Sequence, residues 1–242
     1  MKLVSKIRTQ QSKRDFKSKL KYINTGIGTA ELSSVQMQAE LSQFGTYVNE
    51  MAILIKEMLN STDQDEINKI HKRLRKKDKQ NVYENSSISD YTIKMARSEI
   101  TEDTSDKLQR YISISADLKR LSNICVNISF ELKDKFKSKI WFTPDQRMKL
   151  NVMYDKVLDT LQQVSNDMQN GDFHNIDITK YEQAEDEIDR LRDHYREELG
   201  KMGTEFDFNM AGSLIYFRLF ILMEKMGDKV QEIAEKMSLE LD

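Results

Sequence analysis

The sequence predicts an all-α protein built from two tandem three-helix bundles. Helix-breaking residues are rare, since one proline and eight glycines occur among 242 residues. Charged residues make up 32% of the chain and hydrophobic residues 38%, a balance typical of globular helices rather than of disordered chains. Long segments then repeat apolar residues every three or four positions, the spacing that buries one face of a helix.

The first bundle is predicted to cover residues 23–140 with three long helices. Thr29 is a candidate N-cap for a helix over about 30–60. The polar stretch NSTDQ then separates this helix from a second one over about 64–100. The second helix carries the basic run HKRLRKKDK, residues 71–79, which we expect to be a solvated face.

A third helix is predicted after the capping stretch TEDTSDK, residues 101–107. The residues that form its buried stripe are Tyr111, Ile114, Leu118, Leu121, Cys125, Ile128 and Leu132. Cys125 lies in this stripe, so we expect a core residue rather than a reactive thiol. It is the only cysteine, which excludes an internal disulfide and fits a reducing compartment.

The second bundle is predicted to cover residues 141–242 and begins at the clearest boundary of the chain, WFTPDQ. Thr143 is a candidate N-cap, Pro144 the first helical residue, and Asp145 complements the helix dipole. We expect this fourth helix to end at the NGD stretch, residues 170–172.

Two further helices complete this bundle, one over about 177–200 that ends near Gly200 and Gly203, and one over about 205–239. The apolar face of the fifth helix is Tyr181, Ala184, Ile188, Leu191, Tyr195 and Leu199. The apolar face of the sixth is Tyr216, Leu219, Met223, Met226, Val230, Ile233 and Met237. Both faces follow helical spacing, so we expect both to be buried.

Helices three and six can be aligned without a gap, which favours an internal duplication. Residues 117–129, DLKRLSNICVNIS, match residues 222–234, LMEKMGDKVQEIA. In this alignment Ser122 meets Gly227 and Asn123 meets Asp228. Chance similarity between two amphipathic helices is the alternative. A duplication indicates two related bundles, because three helices bury their faces poorly when alone.

Two pairs of carboxylates in the second bundle point to a cation site. Glu185 and Asp189 lie on helix five, and Glu224 and Asp228 lie on helix six on a flank expected to be exposed. A spacing of four places both members of a pair on one helix face, where like charges repel by about 0.2–0.5 kcal/mol. If the two helices pack antiparallel, the four carboxylates converge into an oxygen-rich site for a divalent cation.

Gly227, between the two acids of helix six, costs about 1 kcal/mol relative to alanine inside a helix. The glycine would allow a close approach of helix five, and a bound cation would remove the repulsion between the acids. The alternative is an ordinary acidic surface neutralised by its neighbours Arg190 and Lys225.

Other functional classes find little support in the sequence. The three histidines, His71, His174 and His194, are scattered, and no HExxH, G-x-S-x-G or phosphate-loop motif occurs, so no enzyme is predicted. His194 is the histidine that could approach the acidic pairs. The most apolar run, residues 213–223, is too short to span a bilayer.

Charge is distributed unevenly along the chain. The net charge of −2 indicates no bulk attraction to nucleic acid. Residues 1–22 contain eight Lys or Arg and one acid, which makes them a basic arm. Such an arm is typical of a segment on a membrane surface, of a nucleic-acid contact or of a solvated tail.

Several segments resemble a known family. MEKMGDKVQEIAE, residues 223–235, resembles the signature helix of PhoU-domain proteins, which places a glycine before the Asp of an E/D-xxx-D motif. DLKRLSNICVNIS resembles the same helix of the first PhoU repeat with its acids replaced. Residues 20–41, LKYINTGIGTAELSSVQMQAEL, are similar to the linker into the first PhoU helix of bacterial sodium/phosphate cotransporter tails, and ITEDTSD also fits that family. The resemblance covers residues 20–240.

The resemblance implies a PhoU-like six-helix fold and a regulatory cytoplasmic domain of a sodium-dependent phosphate transporter. It further implies membrane-spanning helices before residue 1, with the basic arm 1–22 as the juxtamembrane link at the cytoplasmic face of the inner membrane. The membrane-spanning part of the same protein would then be the partner. A homo-oligomer is left open, and no nucleic acid is expected. A freestanding PhoU-like regulator of phosphate signalling and a metal-free helical scaffold are the alternatives.

The resemblance also implies an iron or zinc cofactor, carried over only to Glu185, Asp189, Glu224 and Asp228. The first repeat departs from the family pattern at four positions that should be acidic, namely Val82, Asn85, Lys119 and Asn123. The resemblance therefore implies a metal site in the second bundle and casts doubt on one in the first.

Overall fold

The described part of the chain folds into six long helices. The computed structural model describes residues 30–97, 100–171, 176–202 and 210–238. The helices are α1 (Ala30–Asn60), α2 (Gln64–Met95), α3 (Glu102–Lys137), α4 (Pro144–Asn170), α5 (Ile178–Met202) and α6 (Met210–Ser238). No strand occurs within these ranges. The predicted all-α class and the number of helices are confirmed.

The helices form two three-helix bundles that share one core. Helices α1, α2 and α3 pack against one another, and so do α4, α5 and α6. Between the bundles, α1 packs on α4 and α3 packs on α6. The helices that meet are therefore the equivalent helices of the two bundles, as expected if the second bundle repeats the first. A continuous set of buried apolar side chains runs through all six helices.

Side-chain caps begin the helices where the sequence predicted them. The Asp63 carboxylate accepts from the backbone N–H of Asp65 at 2.8 Å at the start of α2. Thr101 caps α3. Thr143 caps α4 in a capping box, in which its hydroxyl and the side chain of Gln146 each accept from the other residue's backbone N–H.

Helix ends are where the prediction was less accurate. The α4 helix ends as predicted, at Gly171, whose φ of 74° is the left-handed conformation that glycine tolerates. The α2 helix ends at Met95 instead of near residue 100, and the chain tightens there, since the Arg97 N–H donates to the Lys94 carbonyl at 3.3 Å, three residues back. The α5 helix ends at Met202, near Gly200 and Gly203 as predicted, and it continues through Gly200 because a glycine weakens a helix without terminating it.

The predicted apolar stripes form the core. All seven stripe residues of α3 and all seven of α6 are buried. On α5, Leu191 is half-buried, the side chain of Leu199 lies outside the described part, and the other four stripe residues are buried. Cys125 is fully buried, which confirms its predicted place in the core, and this burial raises the pKa of its thiol to about 12.

The basic run on α2 is a solvated face, as predicted. Its exposed members are Lys72, Arg73, Arg75, Lys76 and Lys79. The two buried members are His71 and Leu74, which lie on the side that faces α1 and α3.

Some expectations fall on residues that the structure does not describe. These are the basic arm 1–22, the Thr29 cap, Gly203, His174 and the start of the sixth helix near residue 205. None of the described helices combines the length and the apolar character needed to cross a lipid bilayer.

Candidate metal centre

The α5 and α6 helices pack closely at Gly227. A Cβ atom at this position would lie 3.0 Å from Cδ1 of Ile188 and 3.4 Å from its Cγ2. A glycine therefore lets the two backbones come closer than any other residue would allow without movement of Ile188. The helices run antiparallel here, since Arg192 contacts Glu224 while Glu185 lies near Asp228.

Three of the four predicted carboxylates come together beside this crossing. One oxygen from each of Glu185, Asp189 and Asp228 lies within 4.8 Å of the others. All three side chains are half-buried. The antiparallel packing thus converts two sequence-local pairs into one inter-helical cluster, which is the convergence that the spacing predicted.

The fourth carboxylate, Glu224, belongs to an ion-pair network centred on Arg192. The Arg192 Nη1 donates to Oε1 of Glu224 at 2.5 Å and to Oδ1 of Asp189 at 2.8 Å. Its Nη2 donates to Oδ2 of Asp189 at 3.2 Å, and its Nε donates to Asp193 at 3.0 Å. The guanidinium therefore links α5 to α6 and partly neutralises the site.

The neutralising residue differs from the neighbours considered in the sequence. Arg190 is exposed and its Nε donates to the backbone carbonyl of Asp186, and Lys225 is exposed. Arg192 follows Asp189 by three positions, a spacing that places both residues on one helix face. That spacing was the signal in the sequence for the correct partner.

The expected exposure of the α6 acids is also corrected. The Glu224 side chain is 19% exposed. Asp228 is likewise half-buried. These acids lie off the apolar stripe of α6, as the helical wheel indicated, but α5 covers that flank because Gly227 allows it to pack so closely.

Repulsion between the carboxylates is only partly relieved. Burial raises the pKa of Glu185, and the neighbouring charges of Asp189 and Asp228 raise it further. Burial and then the charge of Asp189 raise the pKa of Asp228. Burial and then Asp228 raise the pKa of Glu224, although Arg192 acts in the opposite direction. The site therefore carries more negative charge than its surroundings compensate.

The donor set of this cluster consists of oxygen atoms. His194 is exposed and faces Glu198, with 3.7 Å between Nε2 and Oε1, and it does not join the carboxylates. His71 is buried in the other bundle against Ser129. Carboxylate oxygens suit hard cations such as Mn²⁺, Mg²⁺ or Ca²⁺, whereas structural zinc sites in proteins favour cysteine and histidine. The residues present thus fit a hard cation.

The spacing of the buried residues on α2 and α5 shows which positions of the first bundle correspond to the acidic cluster of the second. Leu74, Asn81 and Ile88 on α2 are buried at intervals of seven, as Tyr181, Ile188 and Tyr195 are on α5. Asn81 contacts Ser122 just as Ile188 lies against Gly227, and the alignment pairs Ser122 with Gly227.

This register corrects the predicted acid positions of α2. Asp78 is the counterpart of Glu185, Val82 that of Asp189, and Asn85 that of Arg192. The first bundle therefore retains one acid, Asp78, which the sequence reasoning missed. Asn85 is not at an acid position, and it accepts a hydrogen bond from Ser115 at 2.9 Å.

Searches against known proteins agree with the fold. No family model and no curated protein matches the chain. Among solved structures, PhoU from Pseudomonas aeruginosa matches with a TM-score of 0.76 and 15% identity, over 86% of this chain and 96% of that one. The phosphate transport system regulatory protein PhoU from Streptococcus pneumoniae matches with a TM-score of 0.65 and 14% identity, over 86% and 95%. The chain therefore has a PhoU-like six-helix fold.

Proposed function

We propose that the chain is a non-enzymatic regulator of phosphate transport. The observation that carries this proposal is the six-helix fold, shared over 86% of the chain with a PhoU protein. A second protein with this fold is described as a phosphate transport system regulatory protein. The acidic cluster offers ligands for a cation but, among the described residues, no nucleophile with an adjacent base, which suits binding rather than catalysis.

More specifically, we propose that the chain is the cytoplasmic domain of a sodium-dependent phosphate transporter. The similarity of residues 20–41 to the linker of cotransporter tails supports this proposal, as does the basic arm 1–22. The membrane-spanning portion of the same protein would then be its partner. A freestanding regulator with the same fold is the competing arrangement.

Detection of the native protein in its own cells separates these two arrangements. A transporter domain would be recovered in the membrane fraction as a polypeptide much longer than 242 residues, encoded with about eight or more apolar segments of about 20 residues each. A freestanding polypeptide of 242 residues, recovered without membranes, would contradict the transporter proposal while leaving the regulatory role in place.

The acidic cluster would supply the regulatory input. Glu185, Asp189 and Asp228 would hold the cation, and Arg192 would keep Glu224 in place beside them. The bound charge would neutralise the carboxylates and fasten α5 to α6. Such a ligand changes the transporter only if it binds one conformation of the domain more tightly than another.

Phosphate uptake in cells tests the proposed regulation. We expect deletion of this chain to change how uptake of radiolabelled phosphate responds to external phosphate, and the unmodified chain to restore that response. Asp228→Asn should fail to restore it, whereas Asp186→Asn, at an exposed position on the same surface, should succeed. An unchanged response after deletion would contradict the proposed function.

A further inference from the structure

The two bundles place different charges at the same structural position. In each bundle, the second and third helices cross where Ser122 meets Asn81 or where Gly227 meets Ile188. At the crossing of the second bundle, Glu185, Asp189 and Asp228 lie together, and Arg192 is paired with Asp189 and Glu224. The first bundle has a single carboxylate at the corresponding place.

That single carboxylate, Asp78, is paired with Lys119. The Lys119 Nζ lies 2.7 Å from Oδ1 of Asp78 and also donates to Oδ1 of Asn123. The Ser122 hydroxyl donates to the same Asp78 oxygen at 2.8 Å. The Lys119 side chain is 14% exposed and that of Asp78 is 22% exposed, so the pair is held largely within the protein.

The alignment shows how this pair replaces the acidic site. Lys119 matches Glu224 and Asn123 matches Asp228, while Val82 takes the place of Asp189. These three differences remove three acids and add one ammonium. The charge at the crossing therefore changes from an excess of negative charge to a neutral pair of one lysine and one aspartate.

The pair also differs from an ordinary surface ion pair by its surroundings. The Asn81 side chain is fully buried, and its amide donates to Ser122 at 3.1 Å. Ser122 in turn bonds to Asp78, so the ion pair ends a polar chain that reaches into the core of the first bundle. Removal of the ammonium would leave Asp78 and this chain uncompensated.

We infer that Lys119 is a built-in cation of the first bundle, whose ammonium joins α2 to α3 at the position that corresponds to the carboxylate cluster of the second bundle. The Lys119–Asp78 ion pair therefore holds α2 against α3 without a bound ion. In the second bundle Arg192 already joins α5 to α6, and a bound cation would stabilise this crossing further by neutralising Glu185, Asp189 and Asp228. This half of the inference rests on the proposed function. The chain then responds to a cation with one bundle, that of α5 and α6.

Amide hydrogen exchange of the full chain, with excess EDTA or with Mn²⁺, tests the inference. In the wild type, we expect Mn²⁺ to slow exchange in α5 and α6 and to leave α2 and α3 unchanged. Lys119→Met should make exchange around Asp78 and Ser122 about tenfold faster, with or without Mn²⁺, because a partly buried carboxylate loses its partner. Lys79→Met, at an exposed position on α2, should leave exchange unchanged.

A second variant shows whether charge is the cause, including the case in which Lys119→Met alone does not fold. In the double variant Asp78→Asn with Lys119→Met, neither charge remains, and we expect slow exchange in α2 and α3 to return. Equal amide exchange around Asp78 and Ser122 in Lys119→Met and in the wild type would overturn the inference. It would also be overturned if the double variant exchanged no more slowly than Lys119→Met, or if Mn²⁺ slowed exchange in α2 and α3 of the wild type. Absence of a Mn²⁺ effect on α5 and α6 would instead contradict the cation role of the second bundle. The two results can be told apart, because the effect of Lys119→Met is measured on peptides of α2 and α3 and the effect of Mn²⁺ on peptides of α5 and α6.

Discussion

At the scale of single residues, Gly227 explains why two acids and a glycine occur in one helical turn. Ile188 occupies the space that a side chain at this position would need. The glycine lowers the helix propensity of α6, but it allows α5 to pack close enough for Asp189 and Glu185 to reach Asp228. Gly227 therefore costs helix propensity locally but makes the carboxylate cluster between α5 and α6 possible.

Substitution of Gly227 should be tolerated only for the smallest side chain. Gly227→Val should destabilise the protein by about 1–3 kcal/mol through overpacking against Ile188, as measured by urea unfolding. Gly227→Ala should lie near the wild type, because the gain in helix propensity of about 1 kcal/mol offsets the contact. Gly200→Ala, where no atom lies within 4 Å of the new Cβ, should be stabilising. A Gly227→Val protein as stable as the wild type would refute the close-packing argument.

His71 should make the first bundle sensitive to acid. Burial lowers its pKa from 6.5, and the charges of Lys133 and Arg75 lower it further, against a weaker opposite effect of Asp134. Because the folded-state pKa lies below that of the unfolded chain, its contribution to stability is full above about pH 6.5 and is lost as the pH falls through the folded-state pKa. We expect urea midpoints of the wild type to fall more steeply between pH 7 and 5 than those of His71→Gln. Parallel pH profiles would contradict this assignment.

Which side chains pair with one another at the site was the feature least predictable from the sequence. The four-residue spacing of the acids on each helix identified Glu185, Asp189 and Asp228 among the candidates, because the face on which a residue lies depends only on helix geometry. The pairing of Arg192 with Glu224 and the role of Asp78 depend on the register between antiparallel helices. A single sequence contains no direct information on that register.

At the scale of helices, the start of α4 shows how local chemistry fixes a boundary. Thr143, Pro144 and Gln146 supply a capping box and a proline at the start of the helix. These interactions lie within a few residues of one another, so the sequence alone was sufficient to predict the boundary. The end of α2 was harder to predict, because Ala96 in a right-handed conformation, and not a left-handed glycine, follows this helix.

The Thr143 cap should contribute measurably to stability. Thr143→Ala removes the hydroxyl that accepts from the Gln146 N–H at 3.2 Å, and we expect a loss of about 0.5–2 kcal/mol in the free energy of unfolding. Thr143→Ser keeps the acceptor and should stay within about 0.5 kcal/mol of the wild type. Equal losses for alanine and serine would show that the hydroxyl is not the stabilising group.

At the scale of the whole molecule, a buried carboxylate joins the two bundles. Asp117 on α3 is fully buried and accepts from Nη1 of Arg120 at 2.6 Å and from Lys236 on α6. The packing of α3 on α6 thus includes an ion pair as well as apolar contacts. A buried carboxylate that loses one of its partners is costly, because its desolvation is no longer compensated.

Loss of this inter-bundle ion pair should weaken the whole fold. Lys236→Met should lower the free energy of unfolding by about 1–3 kcal/mol. Adding Asp117→Asn should recover part of the loss, because no uncompensated charge then remains. Lys225→Met, at an exposed position of the same helix, should change stability by less than about 0.5 kcal/mol. If Lys236→Met matched this control, Asp117 would not depend on Lys236.

The architecture of the whole molecule was more predictable than its site. Apolar spacing identified six helices, and the gapless match of α3 with α6 indicated two related bundles. Burial supports that match, since Leu118, Leu121 and Ile128 and their counterparts Met223, Met226 and Ile233 are all buried. Which helices join the bundles could not be derived, because both bundles present further apolar surface, and only the structure shows that α1 meets α4 and α3 meets α6.

Calorimetric titration of Mn²⁺ into the metal-free chain tests the central claim most directly. The account predicts one bound ion per chain and at least about a tenfold loss of affinity in Asp228→Asn, because the cluster loses one of its three charged ligands. Asp186→Asn, beside Glu185 but exposed, should bind within about twofold of the wild type. Absence of Mn²⁺ binding by the wild type, or equal affinities of the wild type and Asp228→Asn, would contradict the account.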